Sequence, residues 1–83
     1  MPTRENFTIH EVAKIVDVQP HVLLYWEVEF PRFAPERSED GERIYSRREV
    51  EVVLRIRDLL YRGKHTIPSA RLALEKEMSA DEK

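Results

Sequence analysis

The sequence predicts a small, mainly α domain of about four helices carrying a two-stranded hairpin. Three observations lead there. Capping boxes at Thr8–Glu11 and Ser46–Glu49 mark two helix starts. Two short apolar-periodic stretches follow the first box with only a few residues between them. A length of 83 residues allows one core, and 41% apolar content is enough to fold one.

The first helix begins at Thr8, whose hydroxyl can accept from the Glu11 backbone N–H while Glu11 reaches back. Ile9, Val12, Ala13 and Val16 recur at helical spacing, with His10, Glu11 and Lys14 outward. The helix is expected to stop near Asp17, a residue type that tolerates a left-handed backbone. Gln19-Pro20 opens a second helix, because proline in a first turn forfeits no hydrogen bond. Its wheel places Val22, Leu23 and Trp26 on one face and His21, Leu24, Tyr25 and Val28 on the other. Two short helices joined so closely must cross steeply, which is helix-turn-helix geometry.

Phe30-Pro31 ends the second helix. Residues 32–45 read as an arm: a strand at Arg32-Phe33-Ala34, a turn through Gly41, and a strand at Arg43-Ile44-Tyr45. The box at Ser46 opens a third helix rich in apolar positions, stopped by Gly63. Pairs Glu51–Arg55 and Asp58–Arg62 are expected on its outer strip, and Arg57 falls oddly inside the apolar arc. Thr66 caps a last helix with Ile67, Ala70, Leu74 and Met78 as its apolar side. The chain thus divides into an N-terminal tail (1–5), a domain (6–77) and a polar C-terminal tail (78–83) expected to fray.

Composition excludes several functions. Without cysteine there is no disulfide, thiolate metal site or cysteine nucleophile. With only two glycines there is no glycine-rich phosphate loop, and no serine–histidine–acid arrangement suggests catalysis. His10, His21 and His65 sit on separate elements, so neither a metal nor any other cofactor is expected. The longest apolar run, Val22 to Trp26, is far short of a membrane span, and a cytoplasmic location is the default. Net charge is −2, but residues 31–64 carry 9 basic against 7 acidic groups and form the net-positive stretch. A local patch of this kind can serve nucleic acid even when the whole chain is acidic.

The order helix, tight turn, helix, hairpin, long helix, short helix resembles the N-terminal DNA-binding domain of MerR-type transcriptional regulators, a winged helix-turn-helix. The matching residues are Phe7 to Lys14 in the first helix, Tyr25-Trp26-Glu27 in the second, Gly41 to Ser46 in the wing, and Gly63 with Thr66-Ile67 in a second wing. The chain departs from the family pattern twice. Asp17 stands where the family usually has glycine, and Leu24 replaces an arginine that meets DNA. Leu24 cannot supply that phosphate or guanine contact, although an apolar side chain can still touch a thymine methyl.

The resemblance implies a bacterial transcription regulator that binds duplex DNA through the second helix and the wing. It also implies a link to RNA polymerase and a homodimer formed by a long helix beyond the domain. With the chain ending at Lys83, a monomer is expected. Candidate DNA contacts are Lys14, Gln19, His21, Leu24 and Tyr25 on the helix-turn-helix, Arg37, Arg43, Tyr45 and Arg47 around the wing, and Lys64 and His65 before the last helix. Arg43 aligns with the family's wing arginine. Tyr45 could equally be packing. Glu36, Glu39, Asp40 and Glu42 could pair with the wing arginines instead of leaving them for phosphates. The alternative on the same fold is a protein-interaction module, similar to chaperone modulators, or an excisionase-like accessory factor.

Overall fold

The computed structural model describes residues 6–81; the segment 1–5 and Glu82–Lys83 lie outside the described residues. The elements run β1 (Asn6–Phe7), α1 (Ile9–Val16), α2 (Pro20–Glu29), β2 (Glu36–Arg37), β3 (Arg43–Ser46), α3 (Arg47–Arg57), a π-helical turn (Asp58–Arg62) and α4 (Ile67–Asp81). The molecule is mainly helical and agrees with a winged helix-turn-helix.

The capping box at α1 is complete: Glu11 N–H donates to the Thr8 hydroxyl at 3.2 Å, and Thr8 N–H donates to the Glu11 carboxylate at 2.8 Å. Asp17 then takes the left-handed conformation with φ 63° and ψ 51°. That single residue reverses the chain, and Val18 N–H returns to the Ala13 carbonyl at 3.0 Å. Arg57 explains its odd wheel position here. Its Nη1 donates to the Val16 carbonyl at 2.8 Å, so α3 satisfies an orphan acceptor at the end of α1.

The expected two-stranded wing is present as β2–β3, and β1 adds a further strand to the sheet. The sheet has three antiparallel strands in the order β1-β3-β2. Asn6 pairs with Ser46 and Phe7 with Tyr45, so the lead-in to α1 is tied to the far edge of the wing strand. The first wing strand also moves. Arg32-Phe33-Ala34 is not a strand: Phe33 N–H closes a turn onto the Phe30 carbonyl, and the Phe33 ring is buried. Glu36 and Arg37 pair with Ile44 and Arg43 instead. Gly41 sits at φ 83° in the intervening turn with open space around it, so backbone freedom alone calls for glycine.

The core joins Val12 and Val16 of α1, Leu23 and Trp26 of α2, Phe30 and Phe33 after it, Tyr45 of β3, Val53 and Ile56 of α3, and Ala70 and Leu74 of α4. The third helix does not run unbroken to Gly63. Its last five residues wind as a π turn, with Gly63 N–H bonded to the Asp58 carbonyl at 2.9 Å. Gly63 has an ordinary φ of −79°, and the left-handed residue is Lys64 at φ 53°. Glycine is needed for room: a Cβ there would lie 2.9 Å from the His65 ring and from the Leu59 carbonyl oxygen. α4 continues through Asp81 with Met78 buried, so residues 78–81 are part of the helix.

Ion pairs hold α4 in place. Arg55 grips Glu77 through Nε and Nη2, both at 2.7 Å, and Arg32 grips Glu75 at 2.9 and 2.6 Å. Arg71 donates to the Glu29 carbonyl and carboxylate at the end of α2. The expected Glu51–Arg55 pair is therefore replaced, because α4 brings Glu77 within bidentate reach. Asp58–Arg62 survives only as a 4.0 Å approach.

Candidate nucleic-acid interface

α2 is anchored from behind. Leu23, Trp26 and the following Phe30 are buried, and the Trp26 ring lies 6.2 Å from Tyr61 of the π turn at a 57° tilt. Gln19 caps the helix start with its backbone and makes no side-chain cap bond. His21, Leu24, Tyr25 and Val28 face outward, with Tyr25 53% and Val28 79% exposed. The helix is therefore apolar on both faces, and the fold uses only one of them.

Beside α2, an open groove of about 560 Å³ runs along the helix-turn-helix corner. Lys14 and Gln19 line it together, with His10, Glu11, Asp17 and Pro20. The structure thus joins two of the sequence-predicted residues, one on α1 and one at the cap of α2.

The wing places its arginines unequally. Arg37 is exposed and folds back so that its Nη1 donates to the Gly41 carbonyl at 3.2 Å. Arg47 is exposed, with Glu51 only at 3.9 Å. Arg43 begins β3, and its Nε donates to the Glu27 carboxylate at 2.6 Å. The acids of the turn are not what pairs with it. Glu27, on the flank of α2, is the residue that sequence reasoning missed. Its signal was its place in the Tyr25-Trp26-Glu27 match, one position after the buried Trp26.

Tyr45 is a correction. It is fully buried and packs on Phe33 at 5.8 Å between ring centroids, so it fills the core and cannot reach a phosphate. Its hydroxyl has no hydrogen-bond partner among the described residues. Burial pushes its phenol up to about 12, Glu27 adding to the rise and Arg43 opposing it. Glu49 is likewise raised by burial, although it accepts the Ala34 N–H at 3.2 Å.

Lys64 is exposed at the turn before α4. His65 is half-buried and shares a 2.6 Å hydrogen bond with the Ser69 hydroxyl, while Thr66 accepts the Ser69 N–H at 3.2 Å. Among the described residues no group of three or more histidine, aspartate or glutamate side chains comes together to hold a metal. No helix among them is long and apolar enough to cross a membrane.

The sequence pattern that describes MerR HTH family regulatory proteins matches residues 7–77 of this chain. No curated protein and no solved structure matches it.

Proposed function

The chain belongs to the MerR helix-turn-helix regulatory family and is a DNA-binding regulatory domain; on that premise we propose that α2 enters the major groove while the β2–β3 wing rides the flanking backbone. The observation that carries this reading is the outward face of α2. His21, Leu24, Tyr25 and Val28 are presented by a helix whose other face is locked into the core. That face holds no cation, so base reading falls to Gln19 and His21 by hydrogen bonds and to Leu24 and Val28 by contact with thymine methyls. Phosphate contacts fall to Lys14, Arg37, Arg47, Lys64 and His65, and to the Tyr25 hydroxyl.

The test is fluorescence anisotropy on a duplex selected from a randomised pool, over a salt series. Affinity falls steeply with salt. Replacing Lys14, Arg37, Arg47 and Lys64 together by alanine lowers the slope by roughly four and affinity by about a hundredfold or more. A second reading, a protein-interaction module, is favoured by the exposed Leu24 and Val28. It takes over if the parent shows no salt-dependent binding to any duplex.

A further inference from the structure

We propose that Arg43 is a positioning residue: paired with Glu27, it sets the angle of the wing against α2 and acts on DNA through that angle rather than by gripping a phosphate. The inference rests on the DNA-binding reading above for its functional consequence, but not for its geometry. The Nε–Oε2 distance is 2.6 Å, and the two side chains are only 27% and 22% exposed. The surface pair Arg47–Glu51, by contrast, stands at 3.9 Å with both side chains at least 66% exposed. The Arg43–Glu27 pair spans 16 residues and links two elements that present different surfaces. Among the described strands β2 pairs with β3 alone, so what orients β3 orients β2 with it. Arg43 begins that strand, opposite Arg37 of β2.

Engaging a phosphate would cost Arg43 this pair. Glu27 would then be a half-buried carboxylate without its cation, next to a polyanion. A strut avoids that penalty, because the pair persists while the exposed Arg37 and Arg47 meet the backbone. The two roles predict opposite results for Glu27. If Arg43 grips a phosphate, removing the Glu27 charge releases it and removes a repulsion, so binding holds or tightens. If Arg43 is a strut, the same change loosens the wing and weakens binding.

The experiment compares the full chain with Glu27→Gln, Arg43→Ala and the swap Glu27→Arg/Arg43→Glu, on the selected duplex over a salt series. The strut predicts that both single variants bind about tenfold more weakly with the parental salt slope, and that the swap recovers most of the loss. It is overturned if Glu27→Gln binds as well as or better than the parent while Arg43→Ala lowers the slope by about one. Amide hydrogen exchange without DNA runs in parallel. The single variants speed exchange in β2–β3 and leave α1 and α3 protected. Uniformly faster exchange identifies general destabilisation and overturns the proposal. Unchanged exchange throughout shows that the pair holds nothing, which also overturns it. If the parent binds no duplex, the DNA-binding reading fails, and the exchange data alone decide the strut.

Discussion

The arginines around α4 and the cations around α2 are the same residue types put to different uses. Arg32, Arg55 and Arg71 are each answered by a carboxylate within 3.1 Å and close the α4 side of the molecule. Lys14, Arg37, Arg47 and Lys64 are exposed, and Arg37 and Arg47 make only long contacts of 3.2 and 3.9 Å. Net charge is thus a poor guide to this chain. Glu29, Glu75 and Glu77 neutralise structural arginines, while Lys14, Arg37, Arg47 and Lys64 stay at the surface. Arg43 and Arg57 belong with the structural group, although one sits on the wing and the other was unplaced by periodicity.

That division can be broken most decisively at Arg57. Arg57→Ala strands the Val16 carbonyl and is expected to cost about 2 kcal/mol in chemical denaturation, with no change in salt slope on DNA. A drop in slope without a loss of stability would move Arg57 to the DNA-facing group.

A smaller effect is expected on the buried side of the wing. Tyr45→Phe removes a hydroxyl without a partner and should stabilise the fold by about 1 kcal/mol while leaving DNA affinity unchanged. The pH dependence has a definite sign. Below the ordinary value of 10.0 the phenol is neutral in both states. Between there and about 12 only the unfolded chain ionises, so stability falls over that window in the parent. Thermal melts at alkaline pH should show a shallower decline in Tyr45→Phe.

The smallest effect belongs to the α4 clamps. Arg55→Ala should cost less than about 1 kcal/mol, since the Arg55–Glu77 pair is largely solvent-exposed. Bonds from Arg55 and Arg32 hold the Glu77 and Glu75 carboxyls below the usual carboxylate range. Their stabilisation is present at neutral pH and is lost as pH falls through the lowered values. Glu49 acts in the opposite sense, because burial raises its carboxyl and acid relieves it. Acid melts of Arg55→Ala should therefore decline less than those of the parent. An equal decline would mean that the clamp contributes nothing.

Local features were legible in the sequence because local chemistry produces them. The Thr8–Glu11 box, the left-handed Asp17 and the buried Ala70, Leu74 and Met78 stripe each follow from a few neighbouring residues. What stayed hidden depends on distant partners. β1 is two residues long and exists only because β3 supplies its hydrogen bonds. Glu77 displaces Glu51 as the partner of Arg55 through helix packing that i, i+4 spacing cannot anticipate. In the candidate site the outward set on α2 was readable from the wheel, since one side had to meet the core. Tyr45 was ambiguous because alternation in a short strand does not say which side the domain will cover. The ion pair of Arg43 was not readable because its partner lies 16 residues away on another element.

The π winding at Asp58–Arg62 bears on how tolerant this chain is to changes in length. Five residues there complete a loop that a regular helix closes with four. Dropping any one of them would let the standard coil resume and turn everything downstream by about 100°. Ala70, Leu74 and Met78 would then swing out toward water, and Glu75 and Glu77 would leave their clamps. A single-codon deletion in this short stretch should therefore do more harm than most substitutions on the surface.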